Sequence, residues 1–273
     1  MNKIIVLKNK KIKSDVNNDI IINDFSKVNI EEETSLLIWI KKNVDTSLEL
    51  FLEDDTFLNI HVYVDANATL NLFKYKGLTG FSNHDYHITL NDNSCLTVNK
   101  FNYNNKGKEK ININLKGLNS VINYNFSTLV TLDQSYIMNI KHNNKKTKSR
   151  VNNHGVTIKD AKLDMEVNSY VKKGMEDCVV IQENKIITLG DNNSVIKPNL
   201  YIDEYRVEAK HGASIGKFAK EQLFYLQARG LKRQEAYDLL IKGFLLGILT
   251  IHDKQKQELK SVIENVGGEL NEG

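Results

Sequence analysis

The sequence predicts a mostly β protein built of short stacked strands and ending in a small helical region. Three observations carry that prediction. Short stretches alternate apolar and polar residues through most of the chain. A small-residue corner recurs at a fixed interval, and near residue 215 the apolar period lengthens from 2 to 3.6 residues.

The alternating stretches lie at 36–40, 59–64, 69–73, 96–101, 111–115, 121–126 and 136–140. Each places apolar side chains on every second residue, the pattern of a half-buried strand, and Asn, Asp, Gly and Ser separate them. The corners read Asn67-Ala68-Thr69-Leu70, Asn93-Ser94-Cys95-Leu96 and Asn119-Ser120-Val121-Ile122, so the small residues repeat every 26 positions. Asp160-Ala161 and Asn193-Ser194 echo the pattern at irregular spacing. A repeat in the twenties with tight corners suits a β-solenoid, whose coils stack and bury inward side chains against their neighbours. A jelly roll or sandwich also uses many short strands and remains the rival on periodicity alone.

Beyond residue 215 the pattern predicts three helices, over 217–229, 233–249 and 254–266. This divides the chain into a β core of residues 1–215 and a helical domain of 216–273. Ala219, Leu223 and Leu226 share a face of the first, which ends at Arg229-Gly230. The second carries Ala236, Leu240, Phe244 and Ile248 on a stripe, with Tyr237, Ile241 and Leu245 beside it. Gly243 in its interior costs about 1 kcal/mol against alanine, which predicts close packing there. Asp253 is placed to cap the third helix.

Composition narrows the function. The 273 residues are 41% hydrophobic and 26% charged with a net charge of +3, which points to no nucleic-acid or acidic-membrane partner. Asn, Lys and Ile are abundant, a skew given little structural weight beyond the tolerance of Asn for tight corners. Two cysteines, Cys95 and Cys178, form no disulfide framework and no zinc spacing. The apolar run at 4–7 is too short for a signal peptide, and nothing nears the ~20 apolar residues of a membrane span. A cytoplasmic setting is expected. There is no phosphate-binding GxxxxGK[ST] loop, no GxSxG and no HExxH, so no catalytic role is expected and any ATP would be hydrolysed by a partner. Glu53-Asp54-Asp55 would suit a polysaccharide-cleaving β-helix, but adjacent acids in a row make a poor catalytic pair. A β-helical carbohydrate-active or surface-adhesion protein is the alternative function. His142 and His154 flank Lys145, Lys146, Lys148 and Arg150, and without interleaved aromatics this stretch reads as a solvated loop rather than an RNA-binding patch.

The segment 198–244 resembles the C-terminal signature of the SufB/SufD family. Pro198, Leu200 and Ile202 are followed in order by His211-Gly212-Ala213, Gly216, Leu223-Phe224-Tyr225-Leu226, Arg229-Gly230, Ala236 and Gly243-Phe244. Weaker similarity runs upstream through His142, Thr147 and Ser149 to His154-Gly155-Val156, covering about the last half of the chain. The resemblance implies a right-handed parallel β-helix followed by helices, in a scaffold that assembles iron–sulfur clusters. Its implied partners are a SufC-like ATPase, docked through the helices, and a SufB-like subunit or a second copy of the chain. Its implied cargo is iron or a cluster, held transiently and shared at the subunit interface.

Two departures matter. The chain enters strands soon after its start, without the helical region that precedes them in longer relatives. It also carries Gln182-Glu183 where SufB proteins align their functional cysteine, and His211-Gly212-Ala213 is the SufD form, which implies a subunit that does not itself receive sulfur. His211, flanked by small residues, is the candidate iron or cluster ligand, since a neutral imidazole is a competent iron donor. Phe224, Tyr225, Arg229, Lys232, Arg233 and Phe244 are the candidate partner-binding residues. Cys95 and Cys178 read as inert, the latter because Glu176-Asp177 oppose a thiolate.

Overall fold

The computed structural model of the chain describes residues 2–6, 12–15, 20–26, 34–52, 57–76, 81–103, 106–191 and 193–264. Strands β1 (Asn2–Val6), β2 (Ile12–Asp15), β3 (Ile20–Ser26), β4 (Thr34–Ile40), β5 (Asp45–Leu52) and β6 (Phe57–Val64) open it. Next come β7 (Thr69–Lys76), β8 (Phe81–Leu90), β9 (Cys95–Tyr103), β10 (Lys106–Leu115), β11 (Val121–Val130) and β12 (Gln134–His142). The last strands are β13 (Lys148–Thr157), β14 (Leu163–Val171), β15 (Cys178–Thr188), β16 (Val195–Ile202) and β17 (Val207–Gly216). Helices α1 (Lys220–Ala228), α2 (Arg233–Leu246) and α3 (Asp253–Glu264) follow.

Odd-numbered strands from β5 to β17 stack in one sheet, which β1 and β2 extend. Even-numbered strands from β4 to β16 stack in the other, which β3 extends. Among the described strands every pairing is parallel except β1–β2 and β3–β4. Successive strands therefore alternate between two parallel sheets, which is a β-solenoid. A jelly roll or sandwich would pair its strands antiparallel, so register settles the rivalry that periodicity leaves open.

The corner repeat has a direct cause. Asn43, Asn67, Asn93 and Asn119 adopt φ of 62°, 57°, 54° and 57°. That left-handed geometry costs most residues about 1–2 kcal/mol, and Asn is one of the few that visits it readily. The small residue that follows is sealed inside: Ala68, Ser94 and Ser120 are at most 1% exposed. Ser94 and Ser120 hydroxyls donate to the carbonyls of Asn91 and Gly117 at 2.8 and 2.9 Å. The corner amides also form a ladder, Asn119 to Asn93 to Asn67 to Asn43, at 3.0–3.1 Å per step. A second ladder climbs the outer face of the even sheet from Asn199 through Asn168, Asn139 and Asn112 to Asp85. The Asn-rich composition is thus structural, contrary to the small weight given it above. The Asp160-Ala161 and Asn193-Ser194 echoes lie between β13 and β14 and before β16, at the opposite corner of the coil, so they fall outside the series, whose later left-handed members are Lys146 and Asp177.

Inward side chains of both sheets make the main core, including Leu50, Ile60, Leu70, Leu96, Ile122 and Ile140. Strict alternation fails in the second halves of β9, β11 and β13, where both faces are buried. Helices α2 and α3 cover the outer face there. Phe101, Leu129 and Val156 of the sheet share a second apolar cluster with Ile241, Leu245 and Leu259 of the helices. Polar contacts pin this layer. Asn99 exchanges hydrogen bonds with the Thr250 backbone at 2.9 and 3.0 Å, and the Ser127 hydroxyl donates to the Leu245 carbonyl.

Several expectations for the helices need correction. Helix α1 starts at Lys220, because Ala219 is still extended, and it buries none of its residues, so the Leu223–Leu226 face packs on no core. Helix α2 stops at Leu246, with Gly247 at its C-cap. Gly243 faces open space, since an added Cβ would meet nothing within 4 Å, so close packing within the chain does not account for it. Asp253 opens α3 as its first residue, and Val266 lies outside the described residues. Gly230, with φ of 94°, ends α1 as its sequence predicts.

Candidate functional site

The end of the solenoid is formed by β16 and β17, which are the edge strands of the two sheets. His211 sits on β17 in register with Gln182 of β15. On β15, Val180, Gln182, Asn184 and Ile186 point inward, so His211 belongs to the inward row of the last coil. Among the described residues no further coil covers it, and it is exposed. His211, Gln182, Glu183, Lys185 and Lys210 help line an open groove of about 470 Å³ along this edge. Glu183 points outward instead, paired with Lys185 at 3.6 Å on the solvent face.

The groove can supply one imidazole to a metal, with no thiolate beside it. Among the described residues no group of three or more His, Cys, Asp or Glu side chains is gathered to hold a metal ion. The described residues here therefore do not make up a complete metal site by themselves. Cys178 is buried, with its sulfur 3.2 Å from the Thr147 hydroxyl, and burial pushes the Cys95 thiol up, consistent with inert roles.

The sequence-predicted partner residues separate into two groups. Phe224 and Tyr225 are 74% and 57% exposed on α1, and the Arg229 guanidinium lies 5.1 Å from the Tyr225 ring centre. Arg233 lies over Tyr237, and the Lys232 backbone N–H donates to Glu235 at the start of α2. Phe244, by contrast, is engaged within the chain. Its ring stacks on His154 at 4.2 Å, and its carbonyl meets His154 Nδ1 at 2.8 Å.

His154 is thus pinned under α2, and His142 is fully buried, so neither belongs to the solvated loop expected above. The His142 ring nitrogens meet the Thr147 and Ser149 hydroxyls at 2.7 and 2.9 Å. Burial lowers the His142 pKa to about 4. The unfolded chain then binds a proton between pH 4 and about 6.5 that the folded chain does not. Stability is expected to be full above that window and to fall on acidification through it, by at most about 1.4 kcal/mol per pH unit from this group. Urea unfolding at several pH values should show a shallower slope for His142→Asn than for wild type. Equal slopes would refute the assignment.

The sequence reading missed a charged cluster inside the solenoid. Lys74, Lys100 and Glu109 have side chains at most 2% exposed. Glu109 accepts from Lys74 at 3.1 Å, from Lys100, and from Asn102 at 3.1 Å. Burial alone would raise the Glu109 pKa, but the Lys100 and Lys74 ammonium groups and His84 outweigh it and hold the carboxyl well below its usual range. Burial also lowers Lys74, against the pull of Glu109. Lys100 stands 4.4 and 4.9 Å from the ring centres of Phe126 and Tyr136, aromatic faces that help stabilise a surplus cation. The sequence signal was a charge in phase with the apolar alternation, as in Leu70-Leu72-Lys74 and Leu96-Val98-Lys100.

The described residues thus form a parallel β-solenoid with a bare terminal coil, an exposed histidine on its last strand and a trailing helical layer. The chain belongs to the family described as SUF system FeS cluster assembly, SufBD core domain, which matches residues 20–244. It is similar to the iron–sulfur cluster assembly protein SufD of Bacillus subtilis, 33% identical over 135 residues, covering 48% of this chain and 31% of that protein. SufD of Escherichia coli is 42% identical over 48 residues, or 18% of this chain and 11% of the relative. A SufBD family protein of Archaeoglobus fulgidus is 37% identical over 68 residues, or 24% and 18%. The match therefore spans less than a third of the length of each of these relatives.

Proposed function

We propose that the chain is a non-catalytic, cytoplasmic scaffold subunit of a Suf-type iron–sulfur cluster assembly complex. The observation that carries this reading is the terminal coil: both of its strands are open sheet edges, and His211 stands on its inward face over the groove. A ten-residue exposed edge strand such as β17 is a template for another chain. A SufB-like subunit or a second copy pairs there, and His211 contributes one ligand to iron or a cluster whose remaining ligands come from across the interface. The ATPase partner docks on α1. A nine-residue helix that buries nothing in its own chain gains little stability from itself, and its Phe224–Tyr225 pair is a ready aromatic anchor.

The test is an anaerobic pull-down of the tagged full chain from its native cytoplasm. Wild type should recover a phosphate-loop ATPase together with a SufBD-type subunit or an untagged copy. The double variant Phe224→Ser, Tyr225→Ser should reduce ATPase recovery at least tenfold, about 1.4 kcal/mol or more, without loss of fold. Recovery of a clean monomer would refute the scaffold reading.

A further inference from the structure

We infer that Gln182 is the positioning residue for His211, its side-chain oxygen accepting the imidazole N–H and so selecting which ring nitrogen is left free. The inference rests on the proposed role of His211 as a ligand. Three observations on the terminal coil support it.

Gln182 is 1% exposed, and its amide nitrogen is anchored on the even sheet. It donates to the Ser169 hydroxyl at 2.8 Å and to the Asn199 carbonyl at 3.4 Å. A backbone carbonyl can only accept, so the nitrogen must face Asn199 and the amide cannot be flipped. The oxygen that remains, Oε1, is buried with no hydrogen-bond partner. A buried acceptor left in that state carries an unrecovered desolvation cost, which gives the site a standing demand for a donor.

His211 is the adjacent donor. It lies directly beside Gln182 in the strand register, on the same inward row, and both line the same groove. Same-face neighbours on paired parallel strands stand about 4.8 Å apart, within reach of a side-chain hydrogen bond after rotation of one ring. The imidazole is exposed and free to rotate inward. A neutral imidazole carries one N–H and one lone pair, so donation to Oε1 commits one nitrogen and turns the other into the available metal donor. A carbonyl acceptor behind a ligating histidine fixes its tautomer and orientation.

The test uses the full chain labelled with 15N-histidine at pH 8.5. Ring 15N shifts report tautomer, and His211→Ala assigns the signal. Wild type should show His211 in one predominant tautomer. Gln182→Leu, close in size but without an acceptor, should bring the two nitrogens toward equal, averaged shifts. Gln182→Glu, which keeps an acceptor, should restore the bias. An unchanged tautomer in Gln182→Leu would overturn the inference, and so would a bias that Gln182→Glu fails to restore in a folded protein. Cluster assembly by His211→Ala tests the underlying reading separately. If that variant assembles clusters normally while the tautomer responds to residue 182, the ligand role fails and the positioning contact stands. If assembly is lost while the tautomer ignores residue 182, the reverse holds.

Discussion

Glu109→Gln should cost about 3–5 kcal/mol of stability, the loss typical when one partner of a buried charge group is removed. Two ammonium groups, Lys74 and Lys100, would then share the solenoid interior with no carboxylate to meet them. The aromatic faces of Phe126 and Tyr136 moderate the charge of Lys100 but cannot replace an anion, since each such contact contributes about 2 kcal/mol when desolvated. Urea unfolding of the full chain measures the effect. The companion variant, Lys74→Met with Lys100→Met and Glu109→Leu, should recover most or all of the loss, because a well-packed apolar replacement removes the desolvation cost together with the pairing. A drop below about 1 kcal/mol for Glu109→Gln would mean that the lysines reach water. The pH dependence has a defined sign. The Glu109 carboxyl is held well below its usual range, so its contribution is present above the unfolded carboxylate pKa and is lost as pH falls through the lower folded value.

That cluster shows where local pattern stops being informative. The stretch 96–101 reads as a half-buried strand, and Lys100 falls in its inward phase after Leu96 and Val98. Local preference says a lysine there should face water, yet closure of the solenoid commits every inward position to the interior, and the anion that satisfies it arrives from β10 on the other sheet. Asn93 and Asn119 are the opposite case. Their left-handed corners and the buried serines after them are local facts, so the 26-residue repeat was legible before any coordinates. The resemblance in the last half of the chain located His211 but could not show its surroundings. The open acceptor of Gln182 depends on Ser169 and Asn199, which approach only when three strands of the final coils are in place. The surroundings of Phe244 are hidden in the same way. Its helical stripe is legible, but the His154 ring that occupies it lies 90 residues earlier on a sheet face.

The helical layer should come away as a unit when its anchor is weakened. Leu245 is fully buried between α2 and the outer face of the odd sheet, so Leu245→Ala should cost about 2–5 kcal/mol. The loss should be local, because the main core lies inside the solenoid and shares none of this cluster. Amide exchange of the variant should therefore accelerate at least about 30-fold across α2 and α3, the equivalent of 2 kcal/mol, while the inward-facing strands of the central coils change little. A uniform acceleration through β9, β11 and β13 would instead mean that helices and solenoid open as one cooperative body. The same packing predicts that a chain ending at Gly216 would aggregate. Phe101, Leu129 and Val156 would lose their cover, and the exposed apolar face would bring aggregation whatever the partner does. A force applied at the proposed α1 surface would reach the strands by two routes, along the short link from α1 back to β17, and through α2 by Leu245, His154–Phe244 and Asn99–Thr250. Leu245→Ala should thus leave the proposed α1 docking surface intact while weakening the route through α2, the reverse of what the α1 surface variants do.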